Sequence, residues 1–303
     1  MATRGLDTPA TRAAGPVKGQ AGRPHRPGAP PKRPWWDRSL DGLARTGRDL
    51  RFYGRVLAAV PYALRHFRKE ILATLSEVSF GAGALAVIGG TIGVMVGMCL
   101  FVGTVVGMQG YAALDQIGTS ALNGFISAYF NTREIAPLVA ALAMSATVGA
   151  GFTAQLGAMR INEEIDALRV IGVPAVPYLV TTRVIAGFIA IIPLYVVGLL
   201  TSYAGSRIVT VWFRGQSAGT YDHYFGLFLP PIDILLSFGK VLFFSILIIL
   251  IHCRIGYQAS GGPAGVGIAV GRSVRRTIVL VAILDLILSL AMWGSTTTVR
   301  IAG

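Results

Sequence analysis

The chain has 303 residues, of which 53% are hydrophobic and 14% are charged, and its mean hydropathy is +0.62. Soluble globular domains carry about a quarter charged residues, so this composition excludes an ordinary soluble domain and predicts a polytopic membrane protein. The net charge of +13 is concentrated in residues 1–72, which hold 15 Lys/Arg against 5 Asp/Glu. Beside a membrane, such a segment favours a topology signal or an anionic-lipid contact, and no nucleic-acid partner is expected.

The N-terminal region divides into two parts of different composition. Residues 1–34 are rich in Pro, Gly, Ala and Arg, which predicts a disordered basic cytoplasmic tail. Residues 35–79 interleave aromatic and aliphatic residues with arginines and begin with Trp35 and Trp36. This pattern predicts an interfacial amphipathic helix region that breaks near Pro61. A soluble helical hairpin is the alternative.

The first uncharged run extends from Val78 to Leu114 and predicts span one. Its glycines fall at small-xxx-small spacing, as in Gly103 and Gly107, which predicts close approach of another helix. That neighbour could lie in the same chain, at a dimer interface or beside a lipid cavity. The following segment, 110–132, is only moderately apolar and is predicted as an extracytoplasmic, partly re-entrant connection.

Span two is predicted from Ile135 to Met159, which is free of charge and long enough to cross a bilayer. The next residues, Arg160 to Val173, alternate acidic and apolar side chains at helical spacing. This pattern predicts a short amphipathic helix that returns directly to the membrane. Such a helix either docks on a water-soluble partner or is an ordinary solvated loop helix.

Three further spans follow at about 178–203, 232–253 and 277–298, separated by two loops of different character. The loop at 204–231 is aromatic, whereas the loop at 254–276 contains four arginines and no acid. The positive-inside rule therefore makes the second loop cytoplasmic. Five spans then place the N-terminus and the 160–173 helix in the cytoplasm.

Four ordered motifs carry a resemblance to a known family. They are MQGY at Met108 to Tyr111, REIAP at Arg133 to Pro137, GAM followed by EEIDAL within Gly157 to Leu168, and the stretch from Gly256 to Gly294. The chain resembles the MlaE/YrbE permeases of ABC-type lipid transporters, most closely the B-type YrbE permease of actinobacterial Mce systems. The resemblance implies an all-α membrane protein with a permease domain over 80–303. Five transmembrane helices follow the interfacial helix, and a cytoplasmic coupling helix lies between spans two and three.

The resemblance also implies a coupling site for a cytoplasmic ABC ATPase, which would bind ATP and Mg²⁺ on its own chain. The expected coupling residues are Arg160, Ile161, Glu163, Glu164, Ile165, Asp166, Leu168 and Arg169. The acids would make polar contacts with the ATPase, and Ile161, Ile165 and Leu168 would form the apolar seat. Further expected partners are a second permease copy or paralogue, more in keeping with a heterodimer, and MCE-domain proteins.

A lipid cavity lined by spans one, two and five is the second implied site. Its candidate residues are Gln109, Arg133, Glu134, Thr147 and Asp285. Arg133 could meet an anionic headgroup or serve as an interfacial anchor beside Glu134. Asp285 lies within a predicted span, where a charged group is costly and marks a functional site or a packing hydrogen bond. Lys240 or His252 could reach it.

Residues typical of enzymes or metal sites are sparse. The two cysteines lie in apolar runs, the four histidines lack metal-ligand spacing, and there is no phosphate loop or apolar leader segment. We therefore predict a transporter subunit with no cofactor of its own, moving a fatty acid, mycolic acid, sterol or phospholipid. The alternatives are a membrane-embedded lipid-modifying enzyme built on Asp285, His252 and Lys240, or an ion-coupled secondary transporter.

Overall fold

A computed structural model describes residues 35–80 and 90–294, with side chains over 47–79 and 90–294. The predicted amphipathic region consists of three helices, and the first break lies close to Pro61, where one was predicted. They are α1 (Trp35–Ala58), α2 (Val60–His66) and α3 (Arg68–Phe80). The break precedes Pro61 by two residues, because proline is tolerated in the first turn of a helix. The predicted tail, 1–34, lies outside the described residues.

Five helical segments of the described chain are long and apolar enough to cross a membrane, which confirms the predicted number. They are span one Gly90–Asp115, span two Ser120–Ile161, span three Val176–Phe213, span four Pro231–Tyr257 and span five Gly262–Trp293. The α-helices within them are α4 (Gly90–Asp115), α5 (Asn123–Phe130), α6 (Ala136–Met144), α7 (Ala150–Ile161), α9 (Thr182–Ile208), α11 (Pro231–Tyr257) and α12 (Gly262–Trp293). Two short helices, α8 (Glu164–Val170) and α10 (Ala218–Leu227), connect spans.

Residues 110–132, predicted as a partly re-entrant connection, are mostly helical. Residues up to Asp115 complete α4, and helical structure resumes at Ser120. The polar residues that suggested a loop are accommodated inside the bundle: Asn123 is buried and donates to the Gly107 carbonyl at 3.0 Å and to Thr210 Oγ1 at 2.7 Å. A buried side chain with such partners can lie within a helix.

The arginine-rich loop predicted over 254–276 is also mostly helical. α11 continues to Tyr257 and α12 begins at Gly262, so the turn between them has only four residues. Gly261 and Gly262 have φ values of 91° and 69°, a conformation that glycine adopts without the steric cost of a Cβ atom. Arg254 therefore lies in the last turn of α11, and Arg272, Arg275 and Arg276 lie within the first half of α12.

Glycines bring α4 and α9 into close contact, as their spacing predicted. A Cβ atom at Gly103 would lie 2.1 Å from the Ser202 carbonyl oxygen, and one at Gly107 would lie 2.8 Å from the Ser206 carbonyl oxygen. A Cβ atom at Gly97 would meet nothing within 4 Å. The step from Gly103 to Gly107 thus serves packing within the chain.

π-helical turns interrupt spans two and three. They are Asn131–Ile135, Ser145–Gly149, Val176–Thr181 and Val209–Phe213. Such turns shift the register of a helix and are frequent at functional sites. In span two they coincide with the buried polar residues Arg133 and Ser145. Each turn therefore marks a position at which span two carries polar groups inside the bundle.

The two ends of the bundle are identified by their contacts. At the first, here the α8 end, Arg169 Nη2 donates to Tyr257 Oη at 2.8 Å, which joins α8 to the end of α11. At the other, here the α10 end, Gln216 Nε2 donates to the Ala121 carbonyl at 3.0 Å. Asp49 of α1 pairs with Arg254 at 2.8 Å, so this part of α1 lies at the α8 end.

Candidate functional site

α8 connects spans two and three through two left-handed residues. α7 ends at Ile161, and Glu163 then turns the chain with a φ of 61°. That conformation is costly for a residue with a side chain and is found where strain serves a function. Gly172, with a φ of 81°, ends the segment. The helix predicted over 160–173 is therefore a strained turn followed by a helix of about two turns.

The apolar face of α8 points inward. Ile165 is fully buried in the main core, and Leu168 packs against the same core. The expectation that Ile165 belongs to an exposed seat is therefore wrong, because this side chain supports α8 from within. Val170 and Ile171 are 87% and 72% exposed instead. These two residues provide the apolar surface of the connection, and partly buried Ile161 lies at the end of α7.

The charged residues of α8 fall into two sets, one paired within the chain and one that no arginine of the described residues engages. Asp166 accepts hydrogen bonds from Arg160 Nη1 at 2.8 Å and from Arg169 Nη1 at 2.9 Å. Arg169 also contacts Tyr257, so both residues tie α8 to the spans. Glu163 and Glu164 are exposed. Among the described residues, Glu163 and Glu164 are thus the acids of this surface that no arginine engages, whereas Asp166 is about half exposed and paired.

A buried ion pair joins spans two and four at the α10 end. Arg133 Nε donates to Asp233 Oδ2 at 2.8 Å, and Nη2 lies 2.6 Å from the same oxygen. The other carboxylate oxygen accepts from Trp293 Nε1 of span five at 2.9 Å. The guanidinium carbon lies 4.1 Å from the centroid of the Tyr129 ring. Arg133, for which an anionic headgroup or carboxylate contact and an anchor role beside Glu134 were both open, thus has a carboxylate partner within the chain.

Lys240 is the centre of an adjoining charge network. Its ammonium nitrogen lies 2.8 Å from Asp285 Oδ1, within ion-pair distance although not aligned for a hydrogen bond. It also donates to Ser289 Oγ at 2.6 Å and to the Arg133 carbonyl at 2.9 Å, and lies 3.4 Å from Glu134 Oε2. The Lys240 side chain is fully buried, and that of Asp285 is 10% exposed. These contacts join spans two, four and five.

His252 does not reach Asp285, which leaves Lys240 as the partner that the sequence suggested. Its ring nitrogens lie 3.1 Å from Ser145 Oγ and 2.9 Å from Thr153 Oγ1. Thr277 Oγ1 of span five lies 3.2 Å from the same ring. Asp285 is eight residues further along α12, about 12 Å at the rise of an α-helix. The residues of the alternative enzyme hypothesis therefore do not converge on one site.

A cavity of about 390 Å³ lies between α3, α4 and span two. Most of its described lining is apolar, including Val78, Val94 and Phe152. Its polar part contains Gln155, whose Nε2 donates to Glu77 Oε1 at 2.6 Å. A mostly apolar cavity with one polar part suits an amphiphile. None of its described lining residues belongs to span five, which was expected to contribute.

The five predicted cavity residues are separated in the structure. Thr147 lines the cavity. Gln109 is exposed on α4. Arg133 and Asp285 belong to the buried charge network, and Glu134 lies at its edge with a side chain 36% exposed. The sequence analysis missed the pairing of Arg133 with Asp233, although opposite charges near the ends of two predicted spans were a signal for it.

The described residues contain no group of three or more His, Cys, Asp or Glu side chains placed to hold a metal ion. Cys99 and Cys253 are both free and buried.

Comparison with known proteins places these features in a family. The profile of the family Permease MlaE matches residues 80–291. A probable ABC transporter permease protein of Rickettsia bellii is 30% identical over 183 residues, which cover 60% of this chain and 71% of that protein. The intermembrane phospholipid transport system permease protein MlaE of Haemophilus influenzae is 28% identical over 197 residues, which cover 65% of this chain and 76% of that protein.

A chloroplast relative extends the comparison beyond bacteria. Protein TRIGALACTOSYLDIACYLGLYCEROL 1 of Arabidopsis thaliana is 30% identical over 197 residues, which cover 64% of this chain and 56% of that protein. The family match covers all five spans, α8 and most of the charge network, and it agrees with the family predicted from the motifs. The chain is a multi-pass membrane protein that belongs to the MlaE permease family.

Proposed function

We propose that this chain is the permease subunit of an ATP-driven lipid transporter, and that α8 couples it to a separate cytoplasmic ABC ATPase. The observation that carries the proposal is the exposed surface of α8. Val170 and Ile171 are apolar and largely exposed at the C-terminal end of α8, and Glu163 and Glu164 are exposed at its N-terminal end, about two turns away. An apolar contact rimmed by charges is the usual composition of a protein interface.

The contacts of α8 suggest how motion of an ATPase would reach the spans. Ile165 seats α8 in the core, Arg160 and Asp166 join it to α7, and Arg169 joins it to Tyr257 of α11. ATP binding on the partner would close the ATPase pair and displace α8 as a unit. The strained turn at Glu163 is suited to absorb the change in backbone angle, since hinges are a few residues at helix ends.

The direction of the chain in the membrane follows from its charges. Arg254 lies in the last turn of α11 at the α8 end, and Arg272, Arg275 and Arg276 lie in the half of α12 that begins at this end. The positive-inside rule favours this end for the cytoplasm of a bacterial inner membrane, with the N-terminus on the same side. The charge network at the α10 end would then lie toward the outer leaflet.

The remaining partners rest on the family resemblance. We propose a second permease as partner, a paralogue in a heterodimer or an identical copy, with the present chain as the B-type YrbE subunit. MCE-domain proteins would receive or deliver the lipid on the outer side. The name of the Haemophilus relative favours a phospholipid as the transported lipid. The resemblance adds fatty acids, mycolic acids and sterols as candidate classes.

The test is co-purification of the tagged chain with the ABC ATPase encoded by its own organism, followed by ATP-dependent lipid movement in vesicles. We compare the native chain with Val170→Asp/Ile171→Asp and Glu163→Lys/Glu164→Lys, and use Asp115→Lys as an exposed charge change elsewhere. The native chain and Asp115→Lys should retain the ATPase and ATP-dependent transport. Both α8 variants should lose the ATPase and ATP-dependent transport. Their unfolding temperatures should equal that of the native chain. Transport that persists without any ATPase would overturn the proposal.

A further inference from the structure

The first three turns of α1 with described side chains carry a basic face. Arg48, Arg51 and Arg55 recur at helical spacing and are exposed. The adjoining face of the same helix is fixed to the bundle, because Phe52 and Val56 are buried and Val56 O accepts a hydrogen bond from Thr181 Oγ1 at 3.2 Å. The arginines are thus held on an anchored helix rather than on a free segment.

A groove forms where this basic face meets the end of α11. It has a volume of about 530 Å³, and its described lining consists of four arginines: Arg48, Arg51, Arg55 and Arg254. Arg254 is fixed in place by Asp49 at 2.8 Å and by the Phe52 ring, whose centroid lies 4.8 Å from its guanidinium carbon. Like charges gathered in this way repel one another and are stabilised by an anion.

We propose that this arginine groove binds the phosphate of an anionic phospholipid from the leaflet at the α8 end. Guanidinium groups bind phosphate through paired hydrogen bonds, and several around one groove can hold a phosphodiester headgroup. The volume lies within the range of roughly 300–1,000 Å³ that is common for small-molecule sites. The inference goes beyond the proposed transport function and requires only that the chain lies in a membrane.

The surroundings of the groove favour a lipid over a soluble partner. Leu50 and Leu57 of α1 are 64% and 45% exposed, and their spacing of seven residues places them on one face of the helix, roughly opposite the arginines. A helix that is packed against membrane spans, with exposed leucines on one side and arginines on the other, fits the boundary between acyl chains and headgroups. Acyl chains that cover these leucines would place the arginines on the other side of α1 at the level of the headgroups.

The groove also adjoins the segment that we propose for coupling. Arg55 lines a second depression together with Arg169 of α8, Pro174 and Tyr257. A lipid phosphate bound at Arg55 would therefore lie close to the end of α8. The site is positioned to make docking of α8 sensitive to the anionic lipid content of the membrane.

The experiment counts lipids that remain bound to the full chain. The purified protein is exchanged into micelles that contain phosphatidylglycerol or phosphatidylcholine, and bound lipids are measured by native mass spectrometry. The test variant is Arg48→Gln/Arg51→Gln/Arg55→Gln. The matched control is Arg65→Gln/Arg68→Gln/Lys69→Gln, which removes the same charge from exposed positions on α2 and α3. Arg254 is left intact because it supports the fold.

We expect the native chain and the control to retain phosphatidylglycerol in preference to phosphatidylcholine. The groove variant should lose affinity for phosphatidylglycerol by roughly tenfold or more, since each arginine near a lipid phosphate contributes to binding. Its unfolding temperature should match that of the control, and Arg51→Gln alone should show an intermediate loss. Equal loss in the control and groove variants would overturn the proposal, because general charge would then explain the binding.

Two further arms identify the source of the phosphate and the class of partner. Millimolar inorganic phosphate is added as a competitor, and it should leave bound phosphatidylglycerol unchanged. If inorganic phosphate displaces the lipid, the groove takes a free phosphate and the lipid assignment fails. ATPase co-purification is measured on the same variants. If the groove variant loses the ATPase and keeps its lipid preference, the groove is a protein contact and the proposal fails.

Discussion

The two ends of the bundle use the same ion-pair chemistry at very different burial. At the α10 end, the side chains of Arg133 and Asp233 are 4% and 6% exposed, and those of Lys240 and Asp285 are 0% and 10% exposed. At the α8 end, the side chains of Arg160, Asp166 and Arg169 are 36–53% exposed. Buried pairs are costly to break, whereas exposed pairs contribute little. The difference indicates that the α10 end, here the locked end, resists movement. The α8 end, here the adjustable end, can move at small cost.

This difference fits the roles of the two regions in the proposed transporter. Spans two, four and five are held together at the α10 end by contacts that need each partner to remain in place. α8 is held by contacts that water can replace at small cost. A partner that binds α8 could therefore shift it without breaking the bundle. Four predictions test this contrast.

The largest effect is expected at the centre of the charge network. Lys240→Met would leave Asp285 and Glu134 without their shared cation and should lower the free energy of unfolding by about 3–5 kcal/mol. Equilibrium unfolding in mixed micelles measures it. Lys69→Met, an exposed lysine on α3, is the control and should change the unfolding free energy by less than about 0.5 kcal/mol. Equal stabilities of the two variants would contradict a locked end.

The second prediction separates removal of one charge from removal of both. Arg133→Met should cost about 3 kcal/mol, because it leaves Asp233 buried with Trp293 as its remaining donor in the described structure. Arg133→Met/Asp233→Leu should recover much of that loss, since two apolar groups can replace a buried pair. Arg207→Met breaks an exposed pair with Asp222 and provides the matched control, with a cost of at most about 1 kcal/mol. A double variant less stable than Arg133→Met would contradict the argument.

The third prediction concerns the adjustable end. Asp166→Asn removes the charge that holds Arg160 and Arg169 and should change the unfolding free energy by no more than about 1 kcal/mol. Local opening of α8 should nevertheless become more frequent, so that amide hydrogens of 164–170 exchange several-fold faster. Exchange within residues 131–135 is the internal control and should stay unchanged. Faster exchange at both ends would show that α8 and the charge network are not separable.

Sequence alone predicted the number of spans and the family but not the internal partners of the charged residues. Length and hydropathy determine where a span is required, because the bilayer sets the number of apolar residues. They do not determine which charges meet, since Arg133 and Asp233 are 100 residues apart and are brought together only by packing. For the same reason most of the connection predicted at 110–132 proved helical, with the amide nitrogen of Asn123 donating to Gly107 and Thr210.

The surface of α8 shows a second limit. Helical spacing identified Ile161, Ile165 and Leu168 as one apolar face, but an apolar face can pack on a partner or on the chain's own core. The structure turns Ile165 inward and leaves Val170 and Ile171 exposed. Which residues of α8 face inward depends on the turn at Glu163. The sequence does not predict its left-handed conformation, because glutamate rarely adopts it.

The smallest effect is a pH dependence outside the spans. In α10 the hydrogen bond from Arg207 holds the pKa of Asp222 below the ordinary Asp value of 3.8, so the ionised carboxylate stabilises the folded chain. A lowered pKa gives stability that is present above the ordinary value and is lost as the pH falls through the folded-state value. Because both side chains are about half exposed, with 46% and 52% accessible, solvent screening keeps the effect below about 1 kcal/mol.

Unfolding of the native chain is compared with that of Arg207→Gln between neutral and acidic pH, with Arg214→Gln as the control. The native chain and the control should be more stable than Arg207→Gln at neutral pH, and the gap should close below the ordinary Asp value. A gap that persists in acid would show that the exposed Arg207–Asp222 pair stabilises by packing rather than by charge, which would weaken the contrast between exposed and buried pairs.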